Sequence, residues 1–229
     1  MSIDTKTEIM DAAEELFGAQ GFTATSLRAI TQAAKVNLAA VNYHFGGKLG
    51  LLEAVYERRI QPMNQARLER LDALEKAWPN QPIPLPELVS AFVQPALALS
   101  RERGGEHFVK LLGRSYMEPR PVLQDRMRDM FSEISDRFVA AFARSLPHLS
   151  REELYCRMHF MIGVLAYCMT GADLMRSIAS SRFVEDTASE NLVTHLVTFI
   201  CNGMAAPGSM NEEVSKEPDI GSNVVAMEG

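Results

Sequence analysis

No segment of this chain sustains the period-two alternation of a half-buried strand; its apolar residues instead recur every three to four positions along most of its length. That pattern predicts an all-α fold. Residues 5–20 read as a first helix, with Ile9, Ala12, Ala13, Leu16 and Phe17 on one apolar face and Gly21 as its stop. A long helix opens at Lys48 and runs through about Glu75 on a stripe of Leu51, Leu52, Val55, Tyr56, Ile60, Met63, Leu68, Leu71 and Leu74. Pro62 is expected to kink or break it, because it removes a backbone hydrogen bond. The proline-rich stretch Trp78–Pro84 is a loop. Helical patterns resume at Pro86–Arg103, Glu106–Met117 and Pro121–Leu146, the last with Met127, Met130, Phe131, Ile134, Phe138 and Phe142 inward. Ser150 and Glu153 have the spacing of a capping box and open a helix to about Gly171; a final helix covers about Val184–Met204.

Between the first helix and the long one lies Ser26–Phe45, which reads as two short helices joined by a tight turn. Thr25, with Ser26 beside it, can cap the first, and Leu27, Ile30 and Ala34 share its inner face. Asn37 caps the second, in which Val41 and Phe45 are the buried anchors. Turning about 100° per residue from Val41, Ala39 and Tyr43 point most directly outward, Asn42 and Ala40 flank them, and Leu38 leans back towards the core. A short helix with a small, polar and aromatic outer face, braced by another, suits a DNA major groove. Two short helices joined this way also occur in all-α proteins that never touch nucleic acid.

Further residues narrow the choice. Phe17, Gly21, Thr25-Ser26, Ile30, Ala34, Val36, His44-Phe45 and Lys48 together resemble the amino-terminal signature of TetR-family transcriptional regulators, over roughly residues 5–60. NLAAVNYHFGGK is similar to the PsrA-type, fatty-acid-responsive branch of that family, as, more weakly, are FVKLLGRSYM and LYCRMHFMIGVLAYCMTGADLM. Lys35 departs from the family pattern, which has glycine at this turn position. The resemblance implies a homodimeric, ligand-responsive repressor that binds a palindromic operator in double-stranded DNA and is released by a long-chain fatty acid or acyl-thioester such as acyl-CoA. Tyr43, Asn42, Ala40 and Ala39 are then candidates for base edges, with Asn37 and Leu38 at the start of the same helix. Ala39 or Ala40 would meet a thymine methyl and Asn42 an adenine. Thr25, Ser26, His44 and Lys48 are candidates for phosphates, and Arg28 for a base or a phosphate. A regulator sensing another hydrophobic molecule (a drug, a flavonoid, an acyl-homoserine lactone) or an all-α lipid-binding or catalytic protein are the rival readings.

The division expected is residues 1–48 as a three-helix DNA-binding module, 49–205 as a helical ligand-binding and dimerisation domain, and 206–229 as a disordered acidic tail. The net charge of −6 fits this division, because the tail alone holds five acids against Lys216, a net of −4. With few cations per subunit, a modest salt slope for DNA binding is expected. Candidate ligand residues are Leu112, Arg114, Tyr116, Phe131, Arg157, Met158, His159 and Met161; flexible thioethers suit a bendable alkyl chain, though a Met/Phe stripe at this spacing also serves plain core packing. Arg114, Arg157 or His159 is the expected partner of a ligand carboxylate; for His159, a core or interface place is the other reading. The last two helices are apolar beyond a single face, which predicts a four-helix interface in a two-fold dimer through Gly163, Ala166, Leu192, Leu196 and Phe199.

Nothing in the motifs marks an enzyme: there is no phosphate loop, nucleophile elbow or H-E-x-x-H pair, and Glu14-Glu15 and Glu152-Glu153 read as solvated faces. His107, His148 and His195 lack metal-ligand spacing, so neither metal nor cofactor is expected. Cys156, Cys168 and Cys201 read as reduced, buried thiols of a cytosolic protein. No apolar run spans a bilayer, and MSIDTKTEIM is not a signal sequence, so a cytoplasmic location without membrane contact is expected.

Overall fold

The computed structural model describes residues 3–117, 121–169 and 190–208; the side chains of 3–4, 100, 115–117, 121–124 and 190–191 are outside that description. Every regular element among the described residues is helical. They are α1 (Ile3–Gln20), α2 (Leu27–Ala33), α3 (Leu38–Phe45), α4 (Lys48–Ala77), α5 (Leu85–Ala98), a 3-10 turn at Leu99–Arg101, α6 (Gly105–Met117), α7 (Pro121–Ser145), α8 (Arg151–Met169) and α9 (Glu190–Ala205). The expected tail lies almost wholly outside the described residues.

The first three helices form a small head. Ile9, Ala13 and Phe17 of α1, Ile30 of α2 and Val41 of α3 are fully buried, and α3 rests on α2 and α4. The head is not self-contained, since α1 also packs along α6. A glycine makes this approach possible: a Cβ at Gly18 would stand 2.5 Å from the His107 carbonyl oxygen. Arg114 of α6 reaches back to the end of α1, where its Nη2 donates to Ala19 O at 3.2 Å.

α4 carries the chain from the head into the larger domain. It is continuous across Pro62, so the expected break does not occur; Pro62 lies on the exposed side, and burial of Ile60, Met63 and Leu71 holds the helix together. α5 is apolar nearly all round, as a helix enclosed by others must be, and it touches α4, α7, α8 and α9. Its Phe92 ring meets Phe138 of α7 edge-on at 5.1 Å. The capping box forms on its Ser150 side, with Ser150 Oγ accepting from Glu153 N at 3.2 Å.

Several polar groups depart from the expected solvated positions. Glu14 is 2% exposed. Arg58 Nη2 donates to its Oε2, and Arg59 Nη2 donates to its Oε1 at 2.7 Å. Arg59 continues to Glu102 Oε2 and the Arg103 carbonyl, so this cluster ties α1, α4 and the start of α6 together. Hydrogen bonding to Glu14 holds the Arg59 guanidinium above its ordinary range. Glu153 is half-buried against Arg157 rather than solvated. Cys156 is exposed, because α8 turns it away from the core, while Cys168 and Cys201 are half-buried with thiol pKa values pushed up by burial.

Candidate nucleic-acid interface and ligand cavity

Two side-chain caps set the angle of the reading head. Ser26 stands in extended backbone before α2, and its Oγ accepts from Ala29 N at 3.1 Å; Asn37 does the same before α3, its Oδ1 accepting from Ala40 N at 2.9 Å. Each satisfies an N–H that a helix start leaves without an internal partner. Thr25 is not the cap. Its side chain is 1% exposed, and its hydroxyl donates to Gly21 O at 2.8 Å and Leu16 O at 3.1 Å, so the hydroxyl faces away from any phosphate.

Between the caps, Lys35 adopts φ 54°, the left-handed region where a Cβ costs about 1 kcal/mol or more. Replacing it with glycine is expected to raise the unfolding free energy by about 0.5–1 kcal/mol. Urea denaturation checks this, and an unchanged midpoint would contradict it.

α3 buries Val41 completely and leaves Ala39, Asn42 and Tyr43 in solvent, with Tyr43 86% exposed. Ala40 is half-buried. Leu38 does not lean back: it is 50% exposed, because the eight-residue helix has room for one fully buried anchor between α2 and α4, and Val41 occupies it. The half-buried His44 ring lies 5.0 Å from Tyr43 and 6.0 Å from Phe45. Gly46 and Gly47, at φ 69° and 124°, make the turn into α4 in conformations that favour glycine. Lys48, the first residue of α4, holds its ammonium 4.4 Å from the Phe22 ring centroid, a cation–π contact that fixes it at the foot of α3. Arg28 is exposed on α2.

The larger domain holds a cavity of about 270 Å³ among α4, α5, α6, α7 and α8. Leu112, Phe131 and Met158, three of the expected ligand residues, line it. Met63, Met127 and Met169 add further thioethers. The other expected ligand residues are placed elsewhere, except that the side chain of Tyr116 is outside the description. Arg114 serves the end of α1, as described above. Arg157 donates from Nε to Glu153 Oε1 and from Nη1 and Nη2 to the carbonyls of Gly203, Met204, Ala206 and Pro207. It caps the carboxy-terminal end of α9, whose last carbonyls lack internal donors. His159 is exposed on the side of α8 away from the cavity, where it and Met161 border a groove between α8 and α9. Ser135 also lies on the cavity wall, as does a charged residue not expected there from the sequence, Arg67, 3% exposed. Its signal was its place on the buried stripe, four residues after Met63 and four before Leu71.

The α8–α9 groove, about 560 Å³, is almost wholly apolar and includes Phe160, Gly163, Val164, Phe199 and Gly203. Phe160 is 62% and Phe199 66% exposed. Of the expected dimer residues, Gly163 and Phe199 stand on this open face, Leu192 is half-buried, Ala166 lines the cavity, and Leu196 is spent inside the subunit, where α9 packs on α5. Among the described residues no helix is long and apolar enough to cross a membrane, and no group of side chains is placed to hold a metal ion.

A capped pair of short helices, the second presenting an open face beside a lysine at a helix start, defines a helix-turn-helix protein. Comparison with known proteins agrees. The model of bacterial regulatory proteins of the tetR family matches residues 9–55, and that of tetracyclin repressor-like carboxy-terminal domains matches 90–203. YttP of Bacillus subtilis is 45% identical over 53 residues, 23% of this chain and 26% of that protein. The HTH-type transcriptional regulator SrpR of Pseudomonas putida is 29% identical over 171 residues, 73% of each. SmeT of Stenotrophomonas maltophilia, of solved structure, shares the fold at a TM-score of 0.58 with 21% identity, over 88% of this chain and 90% of that one. The chain therefore spans about a quarter of YttP and about three quarters of SrpR. The chain belongs to the TetR family, and is a helix-turn-helix transcriptional regulator rather than an enzyme.

Proposed function

We propose that two copies of this chain form a two-fold repressor that sets one α3 from each subunit in successive major grooves of a palindromic operator. The outward face of α3 carries this reading: Tyr43, Asn42, Ala39 and Leu38 stand in solvent on a helix whose start is fixed by Asn37. In this arrangement Asn42 pairs with an adenine edge and Ala39 or Ala40 meets a thymine methyl, while Ser26, His44 and Lys48 hold phosphates and Arg28 reaches a base or phosphate from α2. Residues 1–48 do the reading; residues 49–205 bind the effector and the partner subunit through the apolar face of α8 and α9.

The effector is a hydrophobic small molecule, in our reading a fatty acid or acyl-CoA of the kind the PsrA-type resemblance implies. An apolar cavity bordered by four flexible methionines supports it. At about 270 Å³ the space lies near the lower end of small-molecule sites, about 300–1,000 Å³, so a long chain must move those thioethers aside. SmeT is the repressor of a multidrug efflux pump, so a drug-like effector is the competing reading. Release follows only if the effector prefers a dimer whose heads no longer match the groove spacing.

Gel shifts on a selected operator and its point variants test the base assignments. Asn42→Ala is expected to lower discrimination at particular bases by about 1–3 kcal/mol. Lys48→Ala is expected to weaken all sequences alike and to flatten the salt dependence by about one ion per subunit. Unchanged base preference in Asn42→Ala would remove Asn42 from the reading set. Adding palmitate or palmitoyl-CoA to a preformed complex tests the effector class, and a complex that neither disturbs rules it out.

A further inference from the structure

Large apolar side chains stand in solvent at two places among the described residues. Tyr155, Phe160, Tyr167 and Phe199 lie on α8 and α9; the others are Leu38, 50% exposed, and Tyr43, 86% exposed, both on α3. Leu38 is the first residue of α3, where the Asn37 cap fixes the direction of the helix. It is not one of the hydrophobic residues packed on the core, although its neighbours Val36 and Ala40 are. The subunit interior therefore gains nothing from a leucine here, and alanine, a better helix former, would serve the fold as well. Tyr43 carries a hydroxyl that can bond water or a base; Leu38 offers carbon alone.

The major groove has few groups that suit such a side chain. Base edges there present hydrogen-bond donors and acceptors, and the apolar group among the four standard bases is the C5 methyl of thymine. A hydrocarbon laid on a polar edge strips it of water without returning a hydrogen bond, which is a cost. Laid on a methyl, it removes apolar surface from water on both sides. Leu38 reaches past the Cβ at which Ala39 stops, and Ala40 is half-buried. Asn42 follows Leu38 by one helical turn, so the two share a face with Cβ atoms about 5–6 Å apart. That span covers one or two base-pair steps of about 3.4 Å.

We propose that Leu38 is a specificity-determining residue of the reading helix and covers the C5 methyl of a pyrimidine one or two steps from the adenine paired with Asn42. It accepts thymine or 5-methylcytosine there and disfavours uracil and cytosine. The inference rests on the placing of α3 in a major groove, and it moves the methyl contact from Ala39 or Ala40 to Leu38.

Anisotropy titrations of the full chain on its selected operator test it, with one thymine at a time in each half-site replaced by deoxyuridine, which lacks only the methyl. At one position the wild-type protein is expected to bind about tenfold more weakly, the effect of one buried methyl counted in both half-sites. Leu38→Ala is expected to bind the thymine and deoxyuridine duplexes within about twofold of each other. Cytosine and 5-methylcytosine at that position repeat the comparison: wild type is expected to prefer the methylated duplex by about fivefold or more, and Leu38→Ala to show no preference. Leu38→Ala is also expected to melt within about 2 °C of wild type, as a substitution in solvent should. A larger fall would show that Leu38 packs inside the protein and would overturn the assignment, as would an operator in which no thymine methyl matters. Methyl sensitivity that survives Leu38→Ala returns the contact to Ala39 or Ala40, which overturns the proposal and leaves α3 in the groove. A chain that selects no duplex removes the groove reading, and Leu38 with it.

Discussion

Replacing Phe199 with glutamate is expected to convert the protein to a monomer at micromolar concentration and to abolish operator binding at nanomolar concentration. Phe199 is 66% exposed on α9 and borders an apolar groove with Phe160, Val164 and the unobstructed Gly163 and Gly203. If that face meets its own copy, the interface is isologous and every substitution counts twice. Burying a phenylalanine is worth about 1.5–3 kcal/mol. Losing two therefore removes about 3–6 kcal/mol from association, before the cost of burying two carboxylates. Sedimentation equilibrium reads the change as at least a hundredfold weaker dimer. A variant that stays dimeric would place the interface elsewhere.

Glu14→Ala should produce the largest loss of stability. The carboxylate is 2% exposed and receives donors from both Arg58 and Arg59, whose side chains are 23% and 14% exposed. Removing it leaves two half-buried guanidiniums facing one another. Breaking a buried ion pair from one side costs about 3–5 kcal/mol, and the partial exposure of the arginines argues for the lower end, about 3 kcal/mol. For a chain of this size that corresponds to a fall in Tm of roughly 6–12 °C. Because the same cluster joins α1 to the start of α6, the loss should appear as looser coupling of head and body, read as faster amide exchange along α1. A variant within about 0.5 kcal/mol of wild type would show that the cluster is solvated in solution.

The helices and the reading head were legible because their signals are local. Asn37 before Leu38, Gly46-Gly47 after Phe45, and Val41 as the inward anchor each follow from cap chemistry, turn chemistry or helical spacing. Leu38 shows where spacing alone stops: an angle on a helical wheel does not say how many neighbours a two-turn helix has. The polar interior was harder to read. Glu14 next to Glu15 resembles any solvated pair until Arg58 and Arg59, more than forty residues away, arrive beside it. Arg157 sits among apolar residues of α8 like a ligand partner, yet Glu153 takes its Nε and the carbonyls at the end of α9 take its Nη1 and Nη2, an encounter that depends on tertiary packing. Arg67 was readable in principle, since it continues the buried stripe of α4, but a charged residue at that spacing breaks the apolar pattern by which such stripes are found.

The account rests on two copies of α3 reading one duplex at once. Selecting bound duplexes from a random pool with the full chain, then sequencing them, examines this most directly. The predicted outcome is a site with dyad symmetry, its half-site centres about one helical turn (roughly 10 base pairs) or slightly more apart. An enriched site without a dyad, or a pool that shows no sequence preference at all, would contradict it.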